Sequence, residues 1–382
     1  STEVSVSYGS DNALIISNAE GVDRVEADVE TFQFADGTLT RTEVEQLINL
    51  GSAGADTLTG TPVGDTLRGL DGADSIVGKG GADSLDGGAD DDTLVGGDGR
   101  DTLDGGTGTD ALAGGAGDDL YILDDVTTSV TELANMGRDG VRASVGYILP
   151  THVEDLTLTG ADDLAGTGNT ADNAIVGNAG ANLLTGLAGN DTLRGDLGAD
   201  TLVGGLGHDS LLGGTGGDDL TGGGGNDDLD GGEDADTMVG GAGDDAYEVD
   251  DSADVVTEAA DEGHDHVRAQ MSWTLSDHVE DLTLLDGANA TGNARGNTLI
   301  GNDQCPVAPT DTGGVQNMFL ANGRAFRTLE IASTGSGTGS LPTAAAEHEG
   351  QVRYLESGAV SGVGQFYGCV IDGAGYTWKA IS

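Results

Sequence analysis

The chain has 382 residues, 69 of them glycine, and only 4% of its residues are aromatic. Asp and Glu outnumber Lys and Arg by 67 to 14, so the formal net charge at neutral pH is -53. This charge makes nucleic acids and anionic membrane surfaces poor partners, and no apolar run is long enough to span a membrane. Such a composition is typical of disordered chains unless bound cations neutralise the carboxylates.

Residues 1–50 are predicted to form an N-terminal cap or cassette. Val29–Phe34 alternates between polar and apolar residues as a strand does, and residues 35–37 predict its turn. Residues 40–43 fit a helix capping box, which predicts a short helix ending near Gly51. Repeat arrays need such a cap over their first unit.

The first repeat array occupies residues 51–122, where the sequence has a period of nine. Each unit holds glycines, one aspartate and, two residues after the aspartate, one large apolar side chain. The apolar column begins at Leu58 and ends at Tyr121. The aspartate column of this array is Asp56, Asp65, Asp74, Asp83, Asp92, Asp101, Asp110 and Asp119.

The second array occupies residues 168–248 and keeps the same period. It begins with Asn173 and Asn182 in the aspartate column. A third array begins at Gly292 and stops at once. The aspartate column of the second array is Asp191, Asp200, Asp209, Asp218, Asp227, Asp236 and Asp245.

Two related β-rich cassettes interrupt the arrays, at residues 123–167 and at 249–302, the latter including the truncated third array. Both contain the heptapeptide HVEDLTL, at residues 152–158 and 278–284. The last segment, 303–382, holds seven of the 14 aromatic residues and both cysteines. Its short apolar runs between glycines predict a small β domain. A disulfide between Cys305 and Cys369 is left open by the sequence.

The repeat predicts a solenoid whose loops bind cations. Glycines allow tight turns that aim carbonyl oxygens inward, and a three- or four-residue strand follows each aspartate. One nonapeptide is then half a turn and two make one full coil, so alternate aspartates stack on one edge. Calcium takes six to eight oxygen ligands of this kind. Pairing loops one coil apart predicts roughly six ions in the first array and roughly seven in the second.

These nonapeptides and the cassettes with Val-Glu-Asp-Leu-Thr-Leu resemble the RTX, or haemolysin-type calcium-binding, proteins of Gram-negative bacteria over residues 1–302. The resemblance implies a parallel β-roll that folds on calcium outside the cell, after export in an unfolded state. The expected fold class is therefore all-β. It comprises parallel β-roll arrays separated by β-rich cassettes, plus a small C-terminal β domain. Multiple calcium ions are the expected cofactors, and the expected location is extracellular or on the cell surface.

No catalytic motif is complete in the sequence, so an enzyme is not expected. His348-Glu349 begins like a zinc-protease motif, but position 352 is Val rather than the second histidine. His264 and His266 have a spacing that could bind a transition metal, although a solvated stretch of the cassette is favoured. His152 and His278 recur with the cassette, and a packing role is favoured for them.

The segment 349–381 is similar to the closing segment of phage tail-fibre and virion surface proteins. The alternative is an ordinary β cap on the last coil. Three functions stay open: an extracellular structural or adhesive protein, a virion or appendage component, and the calcium-binding part of a secreted enzyme or toxin whose catalytic part precedes Ser1. The expected partners are calcium and, through residues 303–382, a cell-surface or virion protein. A homo-oligomer is also left open.

Overall fold

The computed structural model describes residues 49–285 and 290–301 with their side chains. Outside these ranges it describes eight strands by their backbone, so the helix predicted near residues 40–51 lies mostly outside the described residues. The described residues contain strands and turns and no helix, which confirms the all-β fold class. None of them forms a helix with the length and apolar character that a membrane crossing requires. The eight outer strands are β1 (Ser5–Tyr8), β2 (Leu14–Ser17), β3 (Thr31–Phe34), β4 (Gly37–Thr40), β33 (Asn317–Ala321), β34 (Leu329–Ile331), β35 (Phe366–Asp372) and β36 (Gly375–Ile381).

The chain forms two compact units, residues 1–210 and 211–382. In the first unit, β1 pairs antiparallel with β2 and β3 pairs antiparallel with β4. Its other strands are β5 (Thr57–Thr59), β6 (Thr66–Asp71), β7 (Ser75–Gly80), β8 (Ser84–Ala89), β9 (Thr93–Asp98), β10 (Thr102–Thr107), β11 (Ala111–Ala116), β12 (Leu120–Leu123), β13 (Ser129–Val130), β14 (Gly140–Ala143), β15 (Tyr147–Ile148), β16 (Asp155–Leu158), β17 (Ala165–Thr167), β18 (Ala174–Val176), β19 (Leu183–Ala188), β20 (Thr192–Leu197) and β21 (Thr201–Leu206).

These strands form a parallel solenoid in which the chain passes alternately between two sheets. The even-numbered strands from β6 to β20 are neighbours in one sheet. The odd-numbered strands form two sheets, β5 to β13 and β15 to β21. Thr66 of β6 lies opposite Ser84 of β8, two nonapeptides further along the chain. This register confirms that two nonapeptides make one coil.

The second unit repeats this plan. In one sheet the strand order is β24, β26, β28, β30, β32, β33 and β34. A second sheet contains β23, β25 and β27. Strand β33 pairs parallel with β32 and extends its edge, and β35 and β36 form an antiparallel hairpin. The strands not yet given, from β22 at the unit boundary onward, are β22 (Ser210–Thr215), β23 (Asp219–Gly224), β24 (Asp228–Glu233), β25 (Thr237–Ala242), β26 (Ala246–Val249), β27 (Val255–Thr257), β28 (His266–Ala269), β29 (Trp273–Thr274), β30 (Asp281–Leu284), β31 (Ala290–Thr291) and β32 (Thr298–Gly301).

The core of each unit is the apolar column. Leu94 and Leu103 are 0% exposed, as are most of its members. Most array strands have six residues rather than the three or four predicted, because the two glycines after the apolar residue continue the strand. In β9 the inward positions are Leu94 and Gly96, so a large side chain alternates with hydrogen. Each sheet therefore contributes one row of leucines to the interior, with glycine at the other inward position of each strand.

The cassettes are also coils of the solenoid, with irregular lengths. Gly140 lies opposite Leu120, Asp155 opposite Gly140 and Ala174 opposite Asp155, so successive coils are longer, shorter and again longer than two nonapeptides. The recurring histidines take left-handed backbone conformations, with φ of 70° at His152 and 74° at His278. His152 is exposed, so its side chain does not have the predicted packing role, whereas His278 is half-buried with a buried Nδ1 atom. Both histidines lie in a turn just before a buried valine, Val153 or Val279.

Candidate metal centres

The aspartate column forms ladders of hydrogen bonds along the edges of the coils. The backbone N–H of most of these aspartates donates to Oδ1 of the aspartate one coil later, as from Asp74 to Asp92 at 2.7 Å and from Asp83 to Asp101 at 2.8 Å. The predicted stacking of alternate aspartates is therefore confirmed. The two ladders of the first array are Asp56, Asp74, Asp92 and Asp110, and Asp65, Asp83, Asp101 and Asp119.

The same bonds occur in the second array within each unit. Asn173 donates to Asp191, Asn182 to Asp200, and Asp191 to Asp209. In the second unit, Asp218 donates to Asp236 and Asp227 to Asp245. Each ladder bond uses one oxygen of the carboxylate and leaves the other for a different partner.

The second carboxylate oxygen, Oδ2, is buried and has no hydrogen-bond partner in many members of the ladders. It lies beside the glycine five residues earlier: an ideal Cβ on Gly78 would come within 3.0 Å of Asp83 Oδ2. Glycine thus leaves the space in which these oxygens lie. Such orphaned atoms are costly unless a proton or a cation satisfies them. They include Oδ2 of Asp74, Asp83, Asp92, Asp101, Asp119, Asp191, Asp236 and Asp245.

Burial raises the pKa of these carboxyls. Desolvation, with repulsion from neighbouring carboxylates, raises the pKa of Asp92 to about 6 and of Asp119 and Asp236 to about 7, although backbone N–H donors oppose the shift. Near neutral pH, where these carboxyls ionise, their negative charge is therefore unfavourable unless a counter-charge is supplied. A donor set made of carboxylate oxygens beside glycine carbonyls suits a hard divalent cation such as calcium.

The first coil differs from those that follow. Asp56 and Asp65 are only half-buried. Oδ2 of Asp56 accepts a hydrogen bond from Ser52 Oγ, and Oδ2 of Asp65 accepts one from Thr61 Oγ1, both at 2.9 Å. These two predicted ligands therefore already have protein partners, unlike the orphaned oxygens of the interior coils.

Asparagine pairs begin the arrays that follow the cassettes. Asn169 donates its backbone N–H to Asn173 Oδ1 at 2.7 Å, and its side-chain Nδ2 donates to the carbonyl oxygens of Pro150 and Val153, both at 2.7 Å. The amide thus satisfies carbonyls of the preceding coil without a cation. The spacing Gly-Asn-x-x-x-Asn is the sequence signal for these pairs, which are Asn169 and Asn173, Asn178 and Asn182, and Asn293 and Asn297.

We expect the asparagine coils to keep hydrogen-exchange protection when calcium is removed. In chelator, amides in residues 169–183 should exchange more slowly than those in residues 92–110, because their polar groups are satisfied by side-chain amides. Exchange measured by mass spectrometry in calcium and in chelator tests this. Equal loss of protection in both segments would show that the asparagines do not replace the ion.

In each array, the ladder that holds the last aspartate ends on a carboxylate of the cassette, which sequence reasoning missed. Asp119 N–H donates to Asp139 Oδ1 at 2.8 Å, and Asp245 N–H donates to Asp265 Oδ1 at 3.0 Å. Asp139 N–H in turn donates to Glu154 Oε2. The coil there is longer than two nonapeptides, which takes these aspartates out of the nine-residue period. Their equivalent positions in the two cassettes were the available signal.

His264 and His266 flank one of these aspartates without joining the ladder. His264 is exposed, with Nδ1 3.8 Å from Asp281, and His266 Nε2 contacts Thr283 Oγ1 at 2.9 Å. Burial lowers the pKa of His266. The buried residue of this tripeptide is Asp265, so the candidate ligand there is the aspartate between the histidines.

We expect the chain in chelator to gain β structure as the pH falls from 8 to 5. The folded pKa values of Asp92, Asp119 and Asp236 lie above the usual aspartate value. The folded state then binds more protons, so this stability is present below pH 3.8 and is lost as the pH rises through about 6 to 7. Circular dichroism against pH tests the sign. More structure at pH 8 than at pH 5 would contradict it.

The geometry agrees with a comparison to known families. A family model described as the RTX calcium-binding nonapeptide repeat, four copies long, matches residues 50–85, 59–94, 86–121, 167–202, 176–211 and 212–247. These matches cover all but the last residue of each array, and they leave out the second cassette and most of the first. No curated protein matches the chain.

Proposed function

Residues 50–121 and 167–247 are arrays of the RTX calcium-binding nonapeptide repeat, and from this we propose that the chain is a non-enzymatic, extracellular structural or adhesive protein. Its arrays bind several calcium ions, and binding folds and stiffens them. The observation that carries this proposal is the column of buried aspartates, many of them with an orphaned Oδ2 atom, that recurs through the interior coils.

The proposed ligands are the column aspartates together with backbone carbonyls of the glycine loops. Each ion links a loop to the loop one coil later, along the edge where the ladder already joins them. The interior positions are expected to bind more tightly than Asp56 and Asp65, whose Oδ2 atoms have hydroxyl partners. The complete proposed set is Asp56, Asp65, Asp74, Asp83, Asp92, Asp101, Asp110, Asp119, Asp191, Asp200, Asp209, Asp218, Asp227, Asp236 and Asp245.

Calcium supplies the counter-charge that the chain lacks. A net charge of -53 opposes compaction, and each divalent ion offsets two of these charges at a buried edge. A ligand that binds only the folded state stabilises it by mass action. Sites of low affinity, with dissociation constants of about 0.1–1 mM, are typical of extracellular calcium modules, so such a chain would stay unfolded where calcium is scarce.

Attachment or binding is assigned in this proposal to residues 303–382. The pairing of β33 with β32 supports a role of this segment in closing the last coil as well. Deletion of residues 303–382 separates the two roles. Calcium-dependent folding is preserved if the segment serves only as an anchor, and it is impaired if the segment caps the roll.

Calcium titration of the full chain tests the proposal. Circular dichroism is expected to show little β structure in chelator and a cooperative gain at millimolar calcium, with magnesium much less effective because it requires near-ideal octahedral geometry. Equilibrium dialysis gives the number of ions bound. The same spectrum in chelator and in calcium would refute the folding switch.

A further inference from the structure

Three buried carboxylates meet where each array joins its cassette. Asp119, Glu132 and Asp139 each offer an oxygen, and these atoms lie within 4.8 Å of one another. Asp245, Glu258 and Asp265 form the same cluster in the second unit. All six side chains are at most 7% exposed. In each cluster only the first aspartate belongs to a nonapeptide.

Glu132 occupies the position in its coil at which the coils of the array have a glycine. Val130 lies opposite Leu112, one coil earlier, so Glu132 stacks on Gly114 two residues further along. The N–H of Gly114 donates to Glu132 Oε1 at 3.2 Å. Elsewhere in the array a glycine stacks on a glycine, as Gly105 does on Gly87. The cassette thus places a carboxylate where the array has no side chain, directed back at the last aspartate.

A buried tyrosine supports the glutamate. Tyr121, the last member of the apolar column, is 0% exposed, and its hydroxyl donates to Glu132 Oε1. The N–H of Gly114 donates to the tyrosine oxygen at 2.6 Å. Tyr247, Glu258 and Gly240 repeat this arrangement. These bonds hold one glutamate oxygen in place and do not neutralise the three carboxylates.

Several oxygens of the clusters are buried and have no hydrogen-bond partner. They are Oδ2 of Asp119, Oδ2 of Asp245 and Oε2 of Glu258. An ideal Cβ on Gly240 would lie within 3.0 Å of Asp245 Oδ2, Tyr247 Oη and Glu258 Oε1 at once. Oxygen atoms therefore converge on the space beside this glycine. Three buried carboxylates so close together, with orphaned oxygens among them, are costly unless a cation or bound protons compensate their charge.

The cluster recurs as a unit. Each of its residues reappears at one constant offset along the chain, from Asp119 to Asp245, from Glu132 to Glu258 and from Asp139 to Asp265, and so does the tyrosine. By contrast, the ladder residue beside the cluster differs between the copies, being Thr128 in one and Asp254 in the other. The carboxylates and their tyrosine support are the same in both.

We propose that each cassette binds one divalent cation of its own, in the cluster of Asp119, Glu132 and Asp139 and in that of Asp245, Glu258 and Asp265. The ion joins the last coil of the array to the first coil of the cassette. Only the identity of the ion, calcium, rests on the proposed function of the arrays. With three carboxylates, these sites bind more tightly than array sites and fill first in a titration.

The number of bound ions tests the proposal. Calcium per full-length chain is measured by equilibrium dialysis at the concentration that just fills the first two sites of the natural sequence, where most array sites are still empty. The variant Glu132→Gln/Glu258→Gln, whose sites are expected to be weakened about ten-fold or more, should bind two ions fewer. The control Asp124→Asn/Asp250→Asn removes the same charge from exposed, equivalent cassette positions and should bind the original number.

A second variant covers the case in which the glutamate variant does not fold. Asp139→Asn/Asp265→Asn keeps the tyrosine–glutamate bond and the Oδ1 acceptor of the ladder, and it should also lose two ions. An unchanged number of ions in either folded variant would overturn the cassette sites while leaving the array sites intact. If the natural sequence itself bound no calcium, the proposed function would fail instead, so the two failures are distinguishable.

Discussion

The double variant Asp83→Asn/Asp101→Asn is expected to lose much of the stability that calcium confers on the first array. These residues are consecutive members of one ladder and are 3% and 0% exposed, with orphaned Oδ2 atoms. Asparagine keeps the shape and the Oδ1 acceptor but removes the charge. If calcium is present at 100 times the dissociation constant of a site, losing that site costs about 2.7 kcal/mol.

The sign of the effect should depend on calcium. In chelator, the variant should be as structured as the natural sequence or more so, because two uncompensated buried charges are gone. In calcium it should be less stable, with the loss confined to coils near residues 65–119, because a solenoid couples mainly nearest neighbours. Denaturant unfolding and hydrogen exchange in both conditions measure this.

The control for this prediction is Asp98→Asn, which removes one charge from an exposed residue at the end of β9. It should change stability by less than about 0.5 kcal/mol in either condition. A control as damaging as the ladder variant would show that total charge, rather than the ladder aspartates, determines the response to calcium.

Leu202→Ala is expected to destabilise the calcium-bound first unit by about 2–5 kcal/mol. Leu202 is 0% exposed and lies in β21, where the inward positions hold only this side chain and Gly204. With one large side chain per strand, no neighbour in the strand can fill the cavity. Chemical unfolding of the calcium-bound protein, monitored by circular dichroism, measures the loss.

Leu206→Ala is the matched control in the same strand. Leu206 is 68% exposed, so its truncation should cost less than about 0.5 kcal/mol. If both leucine variants lost the same stability, the apolar column would not be the core of the roll. If neither did, calcium alone would hold the coils together.

The period of nine predicts the coil well because it fixes the positions of both the aspartate and the leucine in every unit. The leucine two residues after each aspartate has to face inward, and the pairing of Thr66 with Ser84, two periods apart, follows directly. Individual hydrogen bonds are less predictable. Nothing in the spacing shows that Asp74 N–H meets Asp92 Oδ1 while Oδ2 stays without a partner.

The contacts of the cassettes are less predictable from the sequence because their coils depart from the nine-residue period. A lengthened coil places Asp139 against Asp119, and a shortened coil places Glu154 against Asp139. Spacing alone therefore gave no reason to connect these residues. The equivalence of the two copies identified related positions, but only the stacking of Glu132 on Gly114 showed which carboxylates lie together.

The irregular coil lengths of the first cassette bear on how such a chain can change in length during evolution. From Leu120 to Ala174, its one shortened and two lengthened coils together span as much chain as three regular coils. Inserting a single nonapeptide would move every later strand to the opposite sheet and break both aspartate ladders. An insertion that preserves the sheets and the ladders therefore has to comprise whole coils of two nonapeptides. The offset between the two cassettes, from Asp119 to Asp245, equals a whole number of such coils, as expected if a whole block of coils was duplicated.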